Sequence, residues 1–346
     1  MVTATMNAIS ISGIKKVESI QVEVPKIDSD EVLVKIGAVG VCGTDLEIYH
    51  GVLSFLQDGR ASFPIIPGHE WAGVVVAVGD EVSSFAIGDH VVGETTIPCR
   101  RCEFCKSGKY NVCPNRLETG ILGKDGAAAE FLVYPASGLY KYHPDISFQE
   151  ACIIEPAAVA YRGVKLLNIT PKDRVAVFGA GPIGLLSVQM AKLFGAKEVT
   201  LFDMLENRLE VGKKIGADKT INLSEQALDT SEKFSVLIEA SGNPVALENM
   251  VSAADLGASL CLLGVCGGRR ASLDVDKVVT SEMNILGSIS SPGVWDTVVE
   301  LIASKKVNTT DIVSHTLKMS ELQNVFEMME RRDETLIKAV LLNDFQ

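Results

Sequence analysis

Four cysteines fall within fifteen positions, Cys99, Cys102, Cys105 and Cys113, spaced C-x2-C-x2-C-x7-C. Four thiolates can close a tetrahedral zinc shell and leave no place for a substrate, so this pattern reads as a structural zinc site. The residues between them, Lys106, Gly108 and Lys109 among them, are too polar to make a core, and a metal would replace it. The competing readings are four unliganded thiols or a disulfide pair. A second donor set is scattered: Cys42 ends "EVLVKIGAVGVC", His69 and Glu70 lie in "PGHEWAG", and Glu155 lies in "IIEPAA". One thiolate, one imidazole and one or two carboxylates make an open zinc site with room for a substrate oxygen. Spacing alone argues weakly here, because a lone Cys, His or Glu is structural more often than not. Cys152, Cys261 and Cys266 sit in apolar patterns and read as small buried hydrophobes.

The stretch "GAGPIG" fits G-x-G-x-x-G with Gly179, Gly181 and Gly184, and includes Pro182 and Ile183. The pattern is common by itself. Here it follows the strand-like "RVAVF" and opens the helix-like "PIGLLSVQMAKLFGA", and Asp203 ends the next strand. That context predicts a dinucleotide-binding turn, with the pyrophosphate at the helix N-terminus. Asp203 can accept hydrogen bonds from the adenosine ribose and would repel a 2′-phosphate, which favours NAD over NADP. Arg208 weakens that inference, since an arginine can hold a phosphate. A structural turn with no ligand is the alternative.

These motifs need a scaffold. The 346 residues argue for two domains, and the 47% hydrophobic content supplies their cores. The formal charge of −12 makes the chain a poor partner for nucleic acid. No basic segment followed by an apolar run opens the chain, and its most apolar stretch, 175–191, is broken by glycines and a proline. The expectation is a cytoplasmic protein with no membrane partner, where clustered thiols bind metal more often than they form disulfides. The first half reads as short strands at 31–42, 71–79, 88–94 and 129–135, an irregular β barrel. The pattern changes near 155: 156–168 looks helical, and from 174 the chain alternates apolar strands with helices, which predicts a parallel sheet covered on both faces. After about 291 two amphipathic helices and a final strand, "IKAVLLN", follow.

Taken together, "GVCGTD", "PGHEWAGVVVAVG", the four-cysteine stretch, "EPAAVAYRGV" and "VAVFGAGPIGLL" resemble the zinc-containing medium-chain dehydrogenases in their order. The resemblance covers essentially the whole chain. It implies a two-domain α/β fold. A GroES-like irregular β-barrel catalytic domain would span 1–155 and 292–346, with a zinc lobe at about 95–116. A Rossmann NAD-binding domain would span 156–291.

Glu155 is similar to the polyol and threonine dehydrogenase branch. The resemblance puts catalytic zinc ligands at Cys42, His69, Glu70 and Glu155, with the two glutamates exchanging with water, and so implies two Zn²⁺ per chain. It makes Thr44 the proton-relay hydroxyl and Asp45 the carboxylate that orients the zinc histidine. Ile183, Asp203, Arg208, Leu263, Gly264, Val265, Ser288 and Ile289 become dinucleotide contacts. Glu47 departs from the pattern, standing where many relatives carry a histidine; it is either the outer relay group or a solvated carboxylate. Ser290 and Ser291 stand where sorbitol dehydrogenases carry an Arg-Tyr pair, while "FPIIPGHEW" and "SPG" are similar to cyclitol and aminocyclitol dehydrogenases. The expected activity is NAD-dependent interconversion of a secondary alcohol of a polyol or cyclitol-like substrate and its ketone, in a homotetramer. L-Threonine 3-dehydrogenase is the rival enzyme. A non-catalytic zinc- and nucleotide-binding protein on the same scaffold is the rival of another class.

Overall fold

The computed structural model describes residues 4–345. The chain divides into two units, one built from Met1–Glu155, Ser291–Ser304 and Val313–Gln346, the other from Pro156–Ser290 and Lys305–Ile312. Segment 305–312 thus belongs with the second unit, although the stretches on either side of it do not. It is held there by Gln189, whose amide donates to the Asn308 carbonyl at 2.9 Å, and by an ion pair between Lys214 and Asp311 at 2.5 Å.

The first unit is built on a seven-stranded sheet. Its order is Leu139–Lys141, His90–Gly93, Glu70–Val78, Glu31–Gly40, Lys338–Leu342 and Val313–Lys318, with Phe131–Pro135 also pairing to Glu31–Gly40. A two-stranded sheet, Thr5–Gly13 with Lys16–Glu23, and a small three-stranded one complete it. The β-branched run at 31–40 is buried along most of its length, as a central strand must be. Its register aligns three strands at one point. Gly40 lies opposite Glu70 on one neighbour and opposite Val340 on the other, both antiparallel. The chain then leaves the sheet at Cys42 and enters the helix Gly43–Tyr49, whose third residue, Asp45, accepts a hydrogen bond from the Cys42 backbone N–H at 2.9 Å. An acidic residue so placed satisfies a donor at the helix start and favours the turn at that point. The core beneath includes Trp71 and Tyr134, with ring centroids 5.4 Å apart.

The second unit is a six-stranded, wholly parallel sheet. The strands run Lys219–Asn222, Glu198–Asp203, Arg174–Phe178, Phe234–Glu239, Ala254–Leu262 and Asn284–Gly287 across it, which in chain order is 3-2-1-4-5-6. This is the Rossmann order. Phe178, Phe202 and Phe234 anchor its core, the first two stacked at 4.5 Å and the last two edge to face at 5.8 Å. Among the described residues no helix is long and apolar enough to cross a membrane.

Candidate active site and dinucleotide turn

The register around Gly40 gathers residues that are remote in sequence. Cys42, His69 and Glu70 each turn one ligand atom into a group whose atoms all lie within 4.8 Å of one another. His69 and Glu70 are buried, Cys42 half-buried. Asp45 Oδ1 stands 3.6 Å from His69 Nδ1, an electrostatic contact that leaves the other ring nitrogen for a ligand. Burial opposes protonation of His69, but the Asp45 carboxylate and the Cys42 thiol outweigh it and hold the ring well above its ordinary range. Thr44 Oγ1 lies 3.8 Å from Cys42 Sγ.

Glu155 falls outside that three-residue group. It is 7% exposed, in the first turn of the helix Ile154–Lys165, and accepts a hydrogen bond from Thr95 Oγ1 at 2.7 Å. Burial raises its pKa to about 7; nearby Glu70 adds to the rise, and His69, Thr95 and Lys338 oppose it. The four expected ligands therefore share one electrostatic neighbourhood, with three of them converging and the fourth held back by Thr95.

Two members of the site carried no signal in the sequence. Lys338, 3% exposed, forms an ion pair with Glu70, and its ammonium donates to the Val41 carbonyl at 2.9 Å. A Cβ on Gly40 would run into Glu70 Oε2 and stand 3.1 Å from Lys338 Cε, so only glycine leaves room for this pair. Lys338 lies in the apolar run of a last strand and Thr95 beside the cysteines. Only the pairing of strands brings either to the site. Glu47, on the same helix as Thr44, is half-buried, and burial raises its carboxyl above the ordinary range. Ser291 is buried and its hydroxyl accepts the Trp295 indole N–H at 3.0 Å, so it is committed to packing.

The donor chemistry fits a metal. A soft thiolate, an imidazole and a carboxylate, buried together with one lysine to offset them, are an incomplete set of charges that a divalent cation would complete. The four cysteines fit zinc still more directly. Their sulfurs lie within 4.8 Å of one another, at 3.4 Å for Cys102–Cys105 and 3.7 Å for Cys102–Cys113. Backbone N–H groups of Arg101 and Cys102 lower the Cys99 thiol to about 6, while burial and the neighbouring thiols push Cys105 up to about 12.

In the second unit Gly179 has φ of +101° and its Cβ would meet Ser241 at 2.8 Å, while a Cβ on Gly184 would strike the Gly179 carbonyl. Both therefore need glycine. At Gly181, the N-cap of helix Pro182–Leu193, a Cβ would meet nothing within 4 Å, and no side chain caps the helix. That is open space before uncapped N–H groups, the cradle a pyrophosphate needs. Asp203 accepts Ala180 N–H at 2.6 Å on one oxygen and Met204 and Leu205 N–H at 2.8 and 3.0 Å on the other. It thus ties the glycine turn to the end of its own strand, a role that sequence reasoning missed. Val265 and Ile289 leave apolar side chains 76% and 51% exposed, and Ser288 is fixed by Arg162 at 2.7 Å.

Comparison with known proteins agrees with this geometry. The alcohol dehydrogenase GroES-like domain family matches residues 28–145, and the zinc-binding dehydrogenase family matches residues 182–304. Sorbitol dehydrogenase of Bacillus subtilis is 31% identical over 338 residues, covering 94% of both chains. L-Threonine 3-dehydrogenase of Vibrio parahaemolyticus is 32% identical over 318 residues, covering 89% of this chain and 91% of its own. An alcohol dehydrogenase of Escherichia coli CFT073, solved as a complex with NADH, superposes with a TM-score of 0.90 at 29% identity over 98% of this chain and all of its own. The chain belongs to the zinc-containing medium-chain dehydrogenase family.

Proposed function

We propose that this chain is a zinc- and NAD-dependent dehydrogenase that interconverts a secondary alcohol of a polyol or cyclitol-like substrate and its ketone. The observation that carries the reading is the convergence of Cys42, His69 and Glu70 in a chain that also has an open, glycine-lined dinucleotide turn. Cys42, His69 and Glu70, with Glu155 as an exchanging partner, would hold one zinc, and Cys99, Cys102, Cys105 and Cys113 a second. A zinc held there would supply Lewis-acid polarisation of the alcohol oxygen, and a bound NAD would supply the hydride acceptor.

The chain's own groups prepare that step. Asp45, 3.6 Å from His69 Nδ1, would orient the ring so that its other nitrogen faces the metal. Lys338 offsets the Glu70 carboxylate without leaving the protein interior. The Thr44 hydroxyl, 3.8 Å from Cys42 Sγ, would take the alcohol proton and pass it outward, with Glu47 or water as the outer acceptor. Gly179, Gly181, Pro182, Ile183 and Gly184 would seat the pyrophosphate. Asp203 would accept from the ribose with the lone pairs that its backbone donors leave over. The similarity to sorbitol dehydrogenase supports a polyol. The similarity to L-threonine 3-dehydrogenase supports an amino alcohol as the second reading. Among the described residues gathered at the site, the one lysine, Lys338, is already paired with Glu70, which favours a neutral substrate over one with a carboxylate.

The test is a panel of polyols, inositols, aminocyclitols, L-threonine and butanediol with NAD, followed at the NADH absorbance band. Turnover of a neutral polyol or cyclitol is expected. Preference for threonine would favour the second reading. Metal-loaded protein inert to every member would support the non-catalytic rival.

A further inference from the structure

Glu94 is a buried carboxylate that the reaction does not use. It is 5% exposed, and both of its oxygens accept from Tyr110 Oη at 2.9 Å while Oε1 also accepts from Tyr140 Oη at 2.8 Å. Its backbone is held as tightly. Its N–H donates to the Gly138 carbonyl at 3.0 Å, and its carbonyl accepts from the buried Tyr134 hydroxyl. A carboxylate so placed costs stability unless its hydrogen bonds are complete, and here they come from separate stretches of chain. Burial raises its pKa to about 7 against the pull of Tyr140, Tyr110 and Arg100.

These partners join two metal-binding regions. Tyr110 lies between Cys105 and Cys113, in the short 3-10 turn Tyr110–Val112 of the four-cysteine lobe. Its hydroxyl also accepts the Gly293 N–H at 3.0 Å. Glu94 is followed directly by Thr95, the residue whose hydroxyl holds Glu155. An unbroken path of contacts therefore runs from the four-cysteine lobe, through Tyr110, Glu94 and Thr95, to the Glu155 carboxylate.

The geometry points to Glu94 as a positioning residue that couples the four-cysteine lobe to the metal site of Cys42, His69 and Glu70. The lobe fixes Tyr110, Tyr110 fixes Glu94, and the Glu94–Thr95 step sets where Glu155 is held. The lobe then acts on catalysis as well as on folding. This inference rests on the functional reading above, in that Glu155 faces a metal held by the other three residues.

The experiment uses full-length, zinc-loaded protein and four variants: Tyr110→Phe, Glu94→Gln, Tyr140→Phe and Thr95→Val. Zinc content is measured by metal analysis, folding by thermal midpoint, and affinity of the labile zinc by competition with a chromophoric chelator. Partners behind a metal ligand typically change metal affinity by about 10- to 100-fold. Tyr110→Phe and Glu94→Gln are expected to weaken the labile zinc by about that factor, with the four-cysteine zinc retained and the protein still folded, its midpoint lowered by the lost hydrogen bonds. Tyr140→Phe, which removes the other donor to Glu94, should weaken it in the same direction. Thr95→Val, at the end of the path, should reproduce the effect. Should Glu94→Gln fail to fold, Tyr110→Phe decides alone, because it deletes a single oxygen. Wild-type affinity in Tyr110→Phe alongside a weakened Thr95→Val overturns the coupling. So does loss of both zincs in step with unfolding, which would mark the cluster as a brace only. Wild-type protein that binds no labile zinc overturns the functional reading instead, and the coupling with it.

Discussion

Thr44 and Glu47 stand three residues apart on one short helix, so they share a face, whereas Asp45 between them is buried. Thr44→Val keeps the side chain's volume and removes its hydroxyl. Proton-transfer groups typically contribute about 10²–10⁴-fold, so kcat should fall by that range while zinc and NAD still bind. Glu47→Gln tests the outer step. Its rate should fall modestly and recover in part as a small buffer base is added at fixed pH and ionic strength. A rate unchanged and indifferent to buffer would remove Glu47 from the relay and leave water as the acceptor. At the dinucleotide turn, a carboxylate–ribose contact of ~1.5–3 kcal/mol makes Asp203→Ala roughly ten- to hundredfold less efficient with NAD and narrows the gap to NADP. Wild-type preference for NADP would refute the assignment. Asp203 also holds three backbone N–H groups, so the thermal midpoint of the variant should fall as well.

Single elements explain what the sequence could and could not say. The four-cysteine pattern and the glycine turn were legible because each is a local device whose geometry is fixed by spacing within a few residues. The strands at 174–178 and 198–203 were legible as continuous apolar runs, since a strand buried on both faces has no polar alternation to hide it. Lys338 was not legible, because a lysine in an apolar strand looks like an edge residue until the register places it against Glu70. Thr95 and Glu94 were hidden likewise, their partners being contributed by other strands and by the lobe. The strand register also makes a prediction. Gly40→Ala should drive a methyl group into the Glu70–Lys338 pair, at a cost of about 1–3 kcal/mol in stability and a loss of metal affinity. Unchanged chelator competition in Gly40→Ala would show that the pair can shift without consequence. For the lobe, mild chelation should strip the Cys42 site before the closed four-thiolate site. Activity should therefore vanish before the fold loosens, and metal analysis of active protein should find two zincs per chain. One zinc in active protein, or unfolding in step with activity loss, would contradict it.

At the scale of the whole molecule the two units are written differently along the chain. Most of the second is one uninterrupted stretch, Pro156–Ser290, whereas the first is collected from three. The pairing of Lys338 with the Val41 carbonyl spans 297 positions. That separation becomes an interval of time during synthesis. At about 5–20 residues per second, roughly 15–60 s pass between the appearance of Val41 and that of Lys338. The parallel sheet of the second unit can close within that interval, while Cys42, His69 and Glu70 still lack the strand that neutralises Glu70 and flanks Gly40. Nascent chains arrested before 338 should therefore protect the second unit from protease and leave the Cys42 thiol open to alkylation, and chains released past 342 should shield both. Equal shielding of Cys42 in the two would mean that the last strand is not needed to close the site. The ion pair at the bottom of the metal site is thus also a clock: it sets the earliest moment in a chain's life at which this enzyme can be loaded.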